Sequence, residues 1–218
     1  MNLSVYKRAF GVTSLALGVL FCTSASFADT YEVTIKNVTA GQAFTPRLAI
    51  THTEGKIFML GEPAIEELAI IAEGGDIAPM MAVLEGFGDV VTDMQVGAGL
   101  LMPGASETIT IEGNPGSSFS LLNMLIPTND AFIGVNAIAL PESGSITYRA
   151  TVYDAGSEIN DELCSNIPGP VCGGEGGSPG EDGEGYIYVH SGIHGIGDLA
   201  AETYDWNNPA AIITITKI

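Results

Sequence analysis

Apolar and polar residues alternate with a period of two along much of this sequence. From Tyr31 to Lys36, the residues Tyr, Val and Ile alternate with Glu, Thr and Lys, which indicates a strand with one buried face. Comparable strand patterns recur at 47–51, 107–112, 118–126, 132–139, 145–153, 186–190 and 211–217. Turns rich in Gly, Pro, Asn and Ser separate these segments. The sequence therefore predicts an all-β protein, an antiparallel β-sandwich of about eight strands.

One region departs from this pattern and predicts one or two short inserted helices. The first is expected to begin at Pro63 and to stop at Gly74-Gly75, with an apolar face of Ile65, Leu68, Ala69 and Ala72. The second is expected after Asp76, with Pro79 in its first turn and an inward face of Met80, Val83 and Leu84. We expect both helices to pack across an end or edge of the sandwich. The alternative is that they line a binding groove.

The N-terminal segment has the pattern of a secretory signal peptide. Lys7 and Arg8 precede an apolar stretch at 9–22, and the small-residue ending Ser26-Phe27-Ala28 predicts cleavage after residue 28. The apolar stretch is too short for a good transmembrane span, and no later segment has about 18 uninterrupted apolar residues. The sequence predicts a signal peptide at 1–28, one domain at 29–218 and a secreted or periplasmic location without membrane insertion.

The charge of the exported chain limits its partners. Removal of Lys7 and Arg8 leaves five of the seven basic residues against 26 acidic ones, a formal charge of −21. Nucleic acid and anionic lipid are thus unsuitable partners, because both require clustered Lys or Arg. Most of the acidity is expected to serve solubility.

Two cysteines remain after residue 28, Cys164 and Cys172. An exported chain meets oxidising conditions, in which a pair eight residues apart can close a loop. Two cysteines without a further Cys or His pair do not complete a zinc site. We predict a Cys164–Cys172 disulfide.

Two acidic segments, 124–132 and 152–161, each place oxygen ligands after an apolar run. A fold that joins these two loops would bring Asp130, Asp154 and Glu158 around one point. Three carboxylates this close repel one another unless a cation lies between them. The pattern favours a hard divalent metal, calcium above all, with Asn129, Asn160 or Asp161 as further candidate ligands. For each acid taken singly, the alternative is an exposed turn residue or strand cap.

Three other segments have weaker functional patterns. His190, Ser191, His194 and Asp198 would suit a metal-dependent hydrolase, but the histidines lie in a Gly-rich turn without a nucleophile elbow. The acidic segment 173–185 is predicted to be a surface loop, with extra weak calcium sites as the alternative. Trp206 is expected to anchor the last strand, with an exposed platform for sugar or peptide as the alternative.

The chain resembles the spondin domain, found in extracellular-matrix proteins such as F-spondin and mindin and in stand-alone secreted bacterial proteins. The resemblance covers nearly all of 29–218. It depends on the order of these segments: YEVTIKNVTAGQAFTP, RLAITH, GEPAIEELAIIAEGGD, LLNMLIPTNDAFIGVNAIALP, VYDAGSEIND, HSGIHGIGDL and YDWNNPAAIITIT. The chain looks most like the bacterial stand-alone form.

This resemblance implies a β-sandwich similar to calcium-dependent lipid-binding domains, with calcium held at one end of the sandwich. The family's ligand positions correspond here to Asp130, Asp154 and Glu158, where the Glu replaces an Asp and lengthens the arm by one methylene. The resemblance also implies a role in cell adhesion. The thrombospondin-type repeats that usually accompany the domain are absent from this sequence.

Together, these patterns predict an exported calcium-binding module for adhesion or extracellular recognition, rather than an enzyme. Its expected partner is an extracellular or cell-surface protein or polysaccharide. The alternatives are a metal-dependent hydrolase and a structural envelope protein without a specific ligand.

Overall fold

The computed structural model describes residues 28–177 and 183–218, so the predicted signal peptide, apart from Ala28, and part of the acidic loop lie outside the described residues. The described chain forms ten strands and three α-helices, with a short 3-10 turn at Cys164–Asn166. The strands are β1 (Asp29–Asn37), β2 (Ala43–Phe44), β3 (Leu48–His52), β4 (Val91–Val96), β5 (Ser106–Gly113), β6 (Ser118–Ile126), β7 (Ala131–Ala139), β8 (Ser145–Asp154), β9 (Tyr188–Val189) and β10 (Ala211–Lys217). The helices are α1 (Glu66–Gly74), α2 (Ala78–Glu85) and α3 (Ala201–Tyr204). The predicted all-β class with short helical insertions is confirmed.

The strands form one antiparallel sheet in the order β4-β3-β6-β7-β8-β10-β1-β5, with β2 paired to β6 and β9 paired to β8. Strand β8 is the corner of this sheet. Its residues 145–150 pair with β10, and its residues 151–154 pair with β7. The sheet therefore folds back on itself through β8 into a flattened, nearly closed barrel with two facing walls.

The main core lies between these two walls. Alternate residues of β1, β5 and β10 are buried against alternate residues of β6, β7 and β8, as the period of two requires. The largest fully buried side chains in this layer include Tyr31, Phe44 and Phe119. Trp206 is buried in the same cluster, which confirms its predicted role as an anchor near the last strand.

A second core lies on the outer side of one wall, under the helices. Helix α1 contributes Leu68 and Ile71 to this core, and helix α2 contributes Met80. They pack against side chains of the sheet, which include Leu48, Ile50, Leu122 and Phe132. Helix α1 begins at Glu66, three residues after the predicted start at Pro63, and ends where Gly75 adopts a left-handed conformation (φ 70°). Helix α2 has Pro79 in its first turn as predicted. The predicted inward position of Val83 is wrong, since this side chain is exposed.

The edge strands β4 and β5 approach each other, and side chains bridge the gap between them. The Asp93 carboxylate of β4 accepts a hydrogen bond from the backbone N–H of Glu112 on β5 (2.9 Å). The Thr51 hydroxyl donates to the carbonyl of the same Glu112 (2.5 Å). These contacts satisfy polar groups on the exposed edge of β5, which otherwise offer a template for pairing with another chain.

A buried arginine completes this seam. The Arg47 side chain is fully buried and forms an ion pair with Glu107 of β5. Its guanidinium also donates to the carbonyl oxygens of Thr45 (3.1 Å), Gly99 (2.8 Å) and Ala98 (3.2 Å). The charge is therefore compensated by one carboxylate and by fixed carbonyl dipoles, as a buried cation requires.

The predicted strand segments coincide with most of the observed strands, namely β1, β3, β5, β6, β7, β8 and β10. Two strands were not predicted, β2 and β4, and the segment predicted at 186–190 forms only the two-residue strand β9. Among the described residues, no helix combines the length and apolar character needed to cross a membrane.

Candidate metal centre

The two acidic segments meet because they flank neighbouring strands. Asp130 immediately precedes β7, and Asp154 is the last residue of β8. These strands are antiparallel, with Ala131 paired to Asp154, so the start of β7 and the end of β8 share one end of the sheet. The backbone N–H of Ala155 donates to the carbonyl of Asp130 (3.2 Å). Both aspartate side chains are fully buried at this end of the barrel.

The Asp130 carboxylate is held by the turn that follows Asp154. Its Oδ2 accepts hydrogen bonds from the backbone N–H groups of Ser157 (2.8 Å) and Glu158 (3.1 Å), with the Ser157 hydroxyl at 3.3 Å. Its Oδ1 is buried and has no hydrogen-bond partner among the described residues. One oxygen of Asp130 thus orients the group, while the other lies buried where a proton shared with Asp154 or a bound cation would satisfy it.

The Asp154 carboxylate is held by its own turn and by Asn160. Its Oδ1 accepts from the backbone N–H of Gly156 (2.8 Å), and its Oδ2 accepts from Nδ2 of Asn160 (2.6 Å). The same Asn160 amide lies 3.1 Å from the Tyr188 hydroxyl, and its Oδ1 lies 3.2 Å from Nε2 of His190. Asn160 therefore connects Asp154 to the strand β9 region. Its amide nitrogen, rather than its oxygen, faces the carboxylate.

Gly156 is required in this turn. Its φ is 67°, and a Cβ at this position would collide with the backbone of Tyr186. The 185–187 segment lies directly over the turn, with the N–H of Gly185 donating to the Gly156 carbonyl (2.8 Å). Only glycine combines this conformation with so close an approach.

The electrostatics of the centre are those of uncompensated negative charge. Burial, followed by the negative charge of Asp154, raises the pKa of Asp130 to about 8, although the N–H groups of Glu158 and Ser157 oppose this shift. Burial also raises the pKa of Asp154, against the hydrogen bonds from Asn160 and Gly156. Two coupled carboxylates in this setting favour a bound proton or a bound cation.

The neighbouring histidine does not supply the missing positive charge. His190 lies with Nε2 3.7 Å from Oδ2 of Asp154 and packs against Trp206, with the two rings tilted by 45° at a centroid distance of 5.0 Å. Burial, followed by the charge of His194, lowers the pKa of His190 to about 4. The imidazole is thus neutral at pH 7. The ion pairs among the described residues include no Lys or Arg contact to either aspartate.

Glu158 lies beside this pair. Its side chain is buried, its backbone N–H binds Asp130, and its negative charge adds to the rise in the Asp130 pKa. Within 28–177 and 183–218, however, no group of three or more His, Cys, Asp or Glu side chains converges in the way that would hold a metal ion. The structure therefore gives a tight Asp130–Asp154 pair with Glu158 adjacent, and no completed ligand cage.

Two of the other candidate ligands are engaged elsewhere. Nδ2 of Asn129 donates to Asp161 (3.0 Å), and Oδ1 of Asn129 accepts from the backbone N–H of Glu162 (3.2 Å). Asp161 also accepts from Leu163 N–H (2.8 Å) and from the Asn166 amide (2.6 Å). These side chains brace the 159–166 loop.

The role of Glu162 could not be predicted from the sequence. This residue has a positive φ of 57° and a buried carboxylate that accepts from the backbone N–H groups of His194 (2.5 Å) and Ile196 (2.9 Å). The Asp198 N–H donates back to the Glu162 carbonyl (2.8 Å). Glu162 thus ties the 194–198 turn to the loop that follows the carboxylate pair. No local motif marks it, because its partners lie about thirty residues away in the sequence.

The predicted disulfide is confirmed. Cys164 and Cys172 are bonded, with an S–S distance of 2.08 Å. The backbone N–H of Cys164 donates to Asp198 (2.9 Å), which joins the disulfide loop to the Glu162 turn. The described parts of the acidic loop, 173–177 and 183–185, contain no helix or strand, and Glu181 and Asp182 lie outside the described residues.

The residues that would suit a hydrolase, His190, Ser191, His194 and Asp198, differ in burial and in structural contacts. His190 is buried, His194 is exposed, and Nδ1 of His190 accepts from the backbone N–H of Gly192 (3.0 Å). Asp198 is engaged with Cys164. Among the described residues, the hydrogen bonds include no contact between the Ser191 hydroxyl and either imidazole.

No protein-family model matches this chain, and no curated protein matches it.

Proposed function

We propose that this protein is an exported calcium-binding module that acts in adhesion or extracellular recognition. The proposal depends on one observation, the buried Asp130–Asp154 pair, in which Oδ1 of Asp130 lacks a hydrogen-bond partner among the described residues. The spondin-like motifs of the sequence support the same function. The confirmed disulfide is compatible with export.

Calcium suits this centre better than other common metals. The donor set is all oxygen, from Asp130, Asp154 and the adjacent Glu158, and hard cations such as calcium prefer oxygen ligands. Calcium takes about six to eight oxygens, so backbone carbonyls and water would complete the shell. A divalent cation would compensate both aspartates and favour their charged forms, which burial alone disfavours.

The consequence of such binding is a fixed surface at one end of the barrel. The turn after Asp154 and the segment before β9 are in contact through Gly156 and Gly185, and both adjoin the carboxylate pair. A cation bound there would hold these loops in one arrangement. Partner binding would then be favoured, because the partner would not have to order the loops itself. We expect the partner to be a cell-surface protein or polysaccharide.

Thermal melts with calcium, with magnesium and with chelator test this proposal. At 100 times the dissociation constant, calcium should stabilise the protein by about 2.7 kcal/mol, which raises Tm by roughly 5–10 °C. Asp154→Asn should abolish the shift, because the variant loses a charged ligand but keeps the size of the side chain. Asp89→Asn, a change at an exposed aspartate, is the matched control and should retain the full shift.

The second half of the test concerns recognition. Binding of the labelled protein to whole cells or to extracted polysaccharide should disappear with chelator and in Asp154→Asn, but not in Asp89→Asn. A calcium shift without calcium-dependent binding would leave a metal-stabilised structural protein. If millimolar calcium gave no shift, the aspartate pair would be a proton-sharing structural element and the proposal would fail.

A further inference from the structure

A cavity of about 530 Å³ opens beside helix α2, in a part of the molecule that the proposed calcium site does not use. Its walls come from α2, from the turn that follows this helix, and from the 54–57 loop after β3. This volume lies within the range of about 300–1,000 Å³ that is typical of small-molecule sites.

The cavity is lined mainly by hydrocarbon. Met80 and Leu84 are buried at the cavity, while Val83 and Phe87 continue the same side of the helix at spacings of three and four residues. Ile65 contributes from the segment before α1. A ligand in this cavity would therefore contact mostly apolar surface.

The mouth of the cavity carries large apolar side chains that water contacts. Phe87 is 57% exposed, Ile65 is 47% exposed and Val83 is 37% exposed. In helix α1, by contrast, Leu68 and Ile71 are fully buried. Several exposed apolar groups around one concave site indicate a binding surface more often than chance exposure does.

The polar groups of the cavity limit the chemical class of the ligand. The buried His52 has both ring nitrogens engaged, Nδ1 with the Glu54 carbonyl (2.9 Å) and Nε2 with the Ser120 hydroxyl (2.9 Å). At the rim, the exposed Glu54 and Lys56 have opposite charges. The lining thus offers neither a free buried polar atom nor a net charge to a ligand head group. The excess of acidic residues in the whole chain further disfavours an anion.

We propose that this cavity binds a small, neutral, largely hydrocarbon molecule. The concave shape favours a small molecule over a flat protein partner, and the balanced rim favours a neutral ligand over a fatty-acid anion. The apolar residues at the mouth lose their contact with water when the ligand is bound, which supplies the driving force. This binding is independent of calcium and does not depend on the proposed function.

Fluorescence titration of the purified protein with N-phenyl-1-naphthylamine, a neutral apolar probe, tests the proposal. We expect saturable binding that 1-decanol displaces at lower concentration than decanoate. Val83→Glu should weaken probe binding at least tenfold, because it adds a carboxylate to the cavity wall. Val38→Glu is the matched control, since Val38 has a similar exposure of 40% and lies outside the cavity.

Phe87→Ala provides a second variant that removes apolar contact without adding charge, and it should weaken the probe severalfold. Circular dichroism would verify the fold of each variant. Absence of saturable binding would overturn the proposal, as would equal weakening by the changes at Val83 and Val38. Stronger displacement by decanoate than by decanol would contradict the neutral class of ligand.

Discussion

Two buried charge centres in this protein differ in how their charge is compensated. Arg47, on the seam between β4 and β5, is neutralised by Glu107 and by three backbone carbonyls. Asp130 and Asp154, at the β7–β8 end, are two acidic groups with only neutral hydrogen-bond donors around them. The charge of the first centre is compensated within the protein, although Nε of Arg47 has no hydrogen-bond partner among the described residues. The second centre requires a proton or a cation from outside. Both centres are buried, but the protein's own groups compensate the charge only at Arg47.

The largest effect on stability is expected from a substitution of Arg47. Arg47→Leu should lower the free energy of unfolding by about 3–5 kcal/mol, because it leaves the Glu107 carboxylate and the carbonyls without their buried partner. Denaturant titration measures this loss, and calcium should not change it. Arg149→Leu, at an exposed position of β8, is the matched control and should cost less than about 1 kcal/mol.

If Arg47→Leu were as stable as the Arg149 variant, the seam would not depend on the buried ion pair. Charge compensation at Arg47 would then make no measurable contribution to stability, and the two centres would not differ in the way described.

The turn that shapes the aspartate centre gives a second test. Gly156 and Gly144 have nearly the same φ, 67° and 66°, but a Cβ at Gly144 meets open space while one at Gly156 meets the Tyr186 backbone. Gly144→Ala should cost about 1–2 kcal/mol through the left-handed conformation alone. Gly156→Ala should cost about 1–3 kcal/mol more, because overpacking is added. Denaturant titration of both variants measures the difference.

Calcium affinity sharpens this comparison. Only the Gly156 variant should bind calcium more weakly, since only this turn directs N–H groups at the two carboxylates. Equal effects of the two changes on stability and on calcium affinity would mean that the close approach to Tyr186 does not organise the site.

The pH dependence of stability without calcium gives the third test. The folded Asp130 has a pKa of about 8, whereas an unfolded aspartate has a pKa of about 3.9. Between these values the folded state binds a proton that the unfolded state does not, so stability must fall as pH rises. The slope reaches at most about 1.4 kcal/mol per pH unit for one proton.

His190 acts in the opposite direction at lower pH. Its pKa is about 4 in the folded protein and about 6.5 when unfolded, so its contribution to stability rises with pH between these values. The window from pH 6.5 to 8 therefore excludes His190 and reports on the Asp130–Asp154 pair. Denaturant titrations in chelator should show falling stability there for the protein and a shallower fall for Asp130→Asn, in which only Asp154 is left to titrate. A flat profile for both would show that the pKa of Asp130 is not raised.

The regular part of the fold could be predicted from the sequence because one physical pattern governs it. Strands β1, β5, β8 and β10 each have one face on the main core, so their period of two is clear. Strand β4 escaped prediction because it lies at the sheet edge, where none of its residues is fully buried. The predicted inward position of Val83 was wrong. Its helical spacing matches an inward face, but the side chain lines the cavity beside α2 and is exposed there.

The carboxylate pair could also be predicted, because Asp130 and Asp154 terminate segments with strand patterns. The role of Asn160 as a connection between Asp154, Tyr188 and His190 could not, and neither could the role of Glu162. These contacts join loops that are distant in sequence, and no local periodicity encodes them. The sequence thus locates the acids but not the groups that orient them.

Isothermal titration of the purified protein with calcium at pH 7, in PIPES and in imidazole, measures whether the Asp130–Asp154 pair exchanges a proton for calcium. The two buffers differ in ionisation enthalpy, so the difference in heat counts the protons released. With a pKa of about 8 for Asp130, binding should release close to one proton per calcium at pH 7. Absence of calcium binding, or binding without proton release at pH 7, would show that calcium does not replace a proton at the Asp130–Asp154 pair.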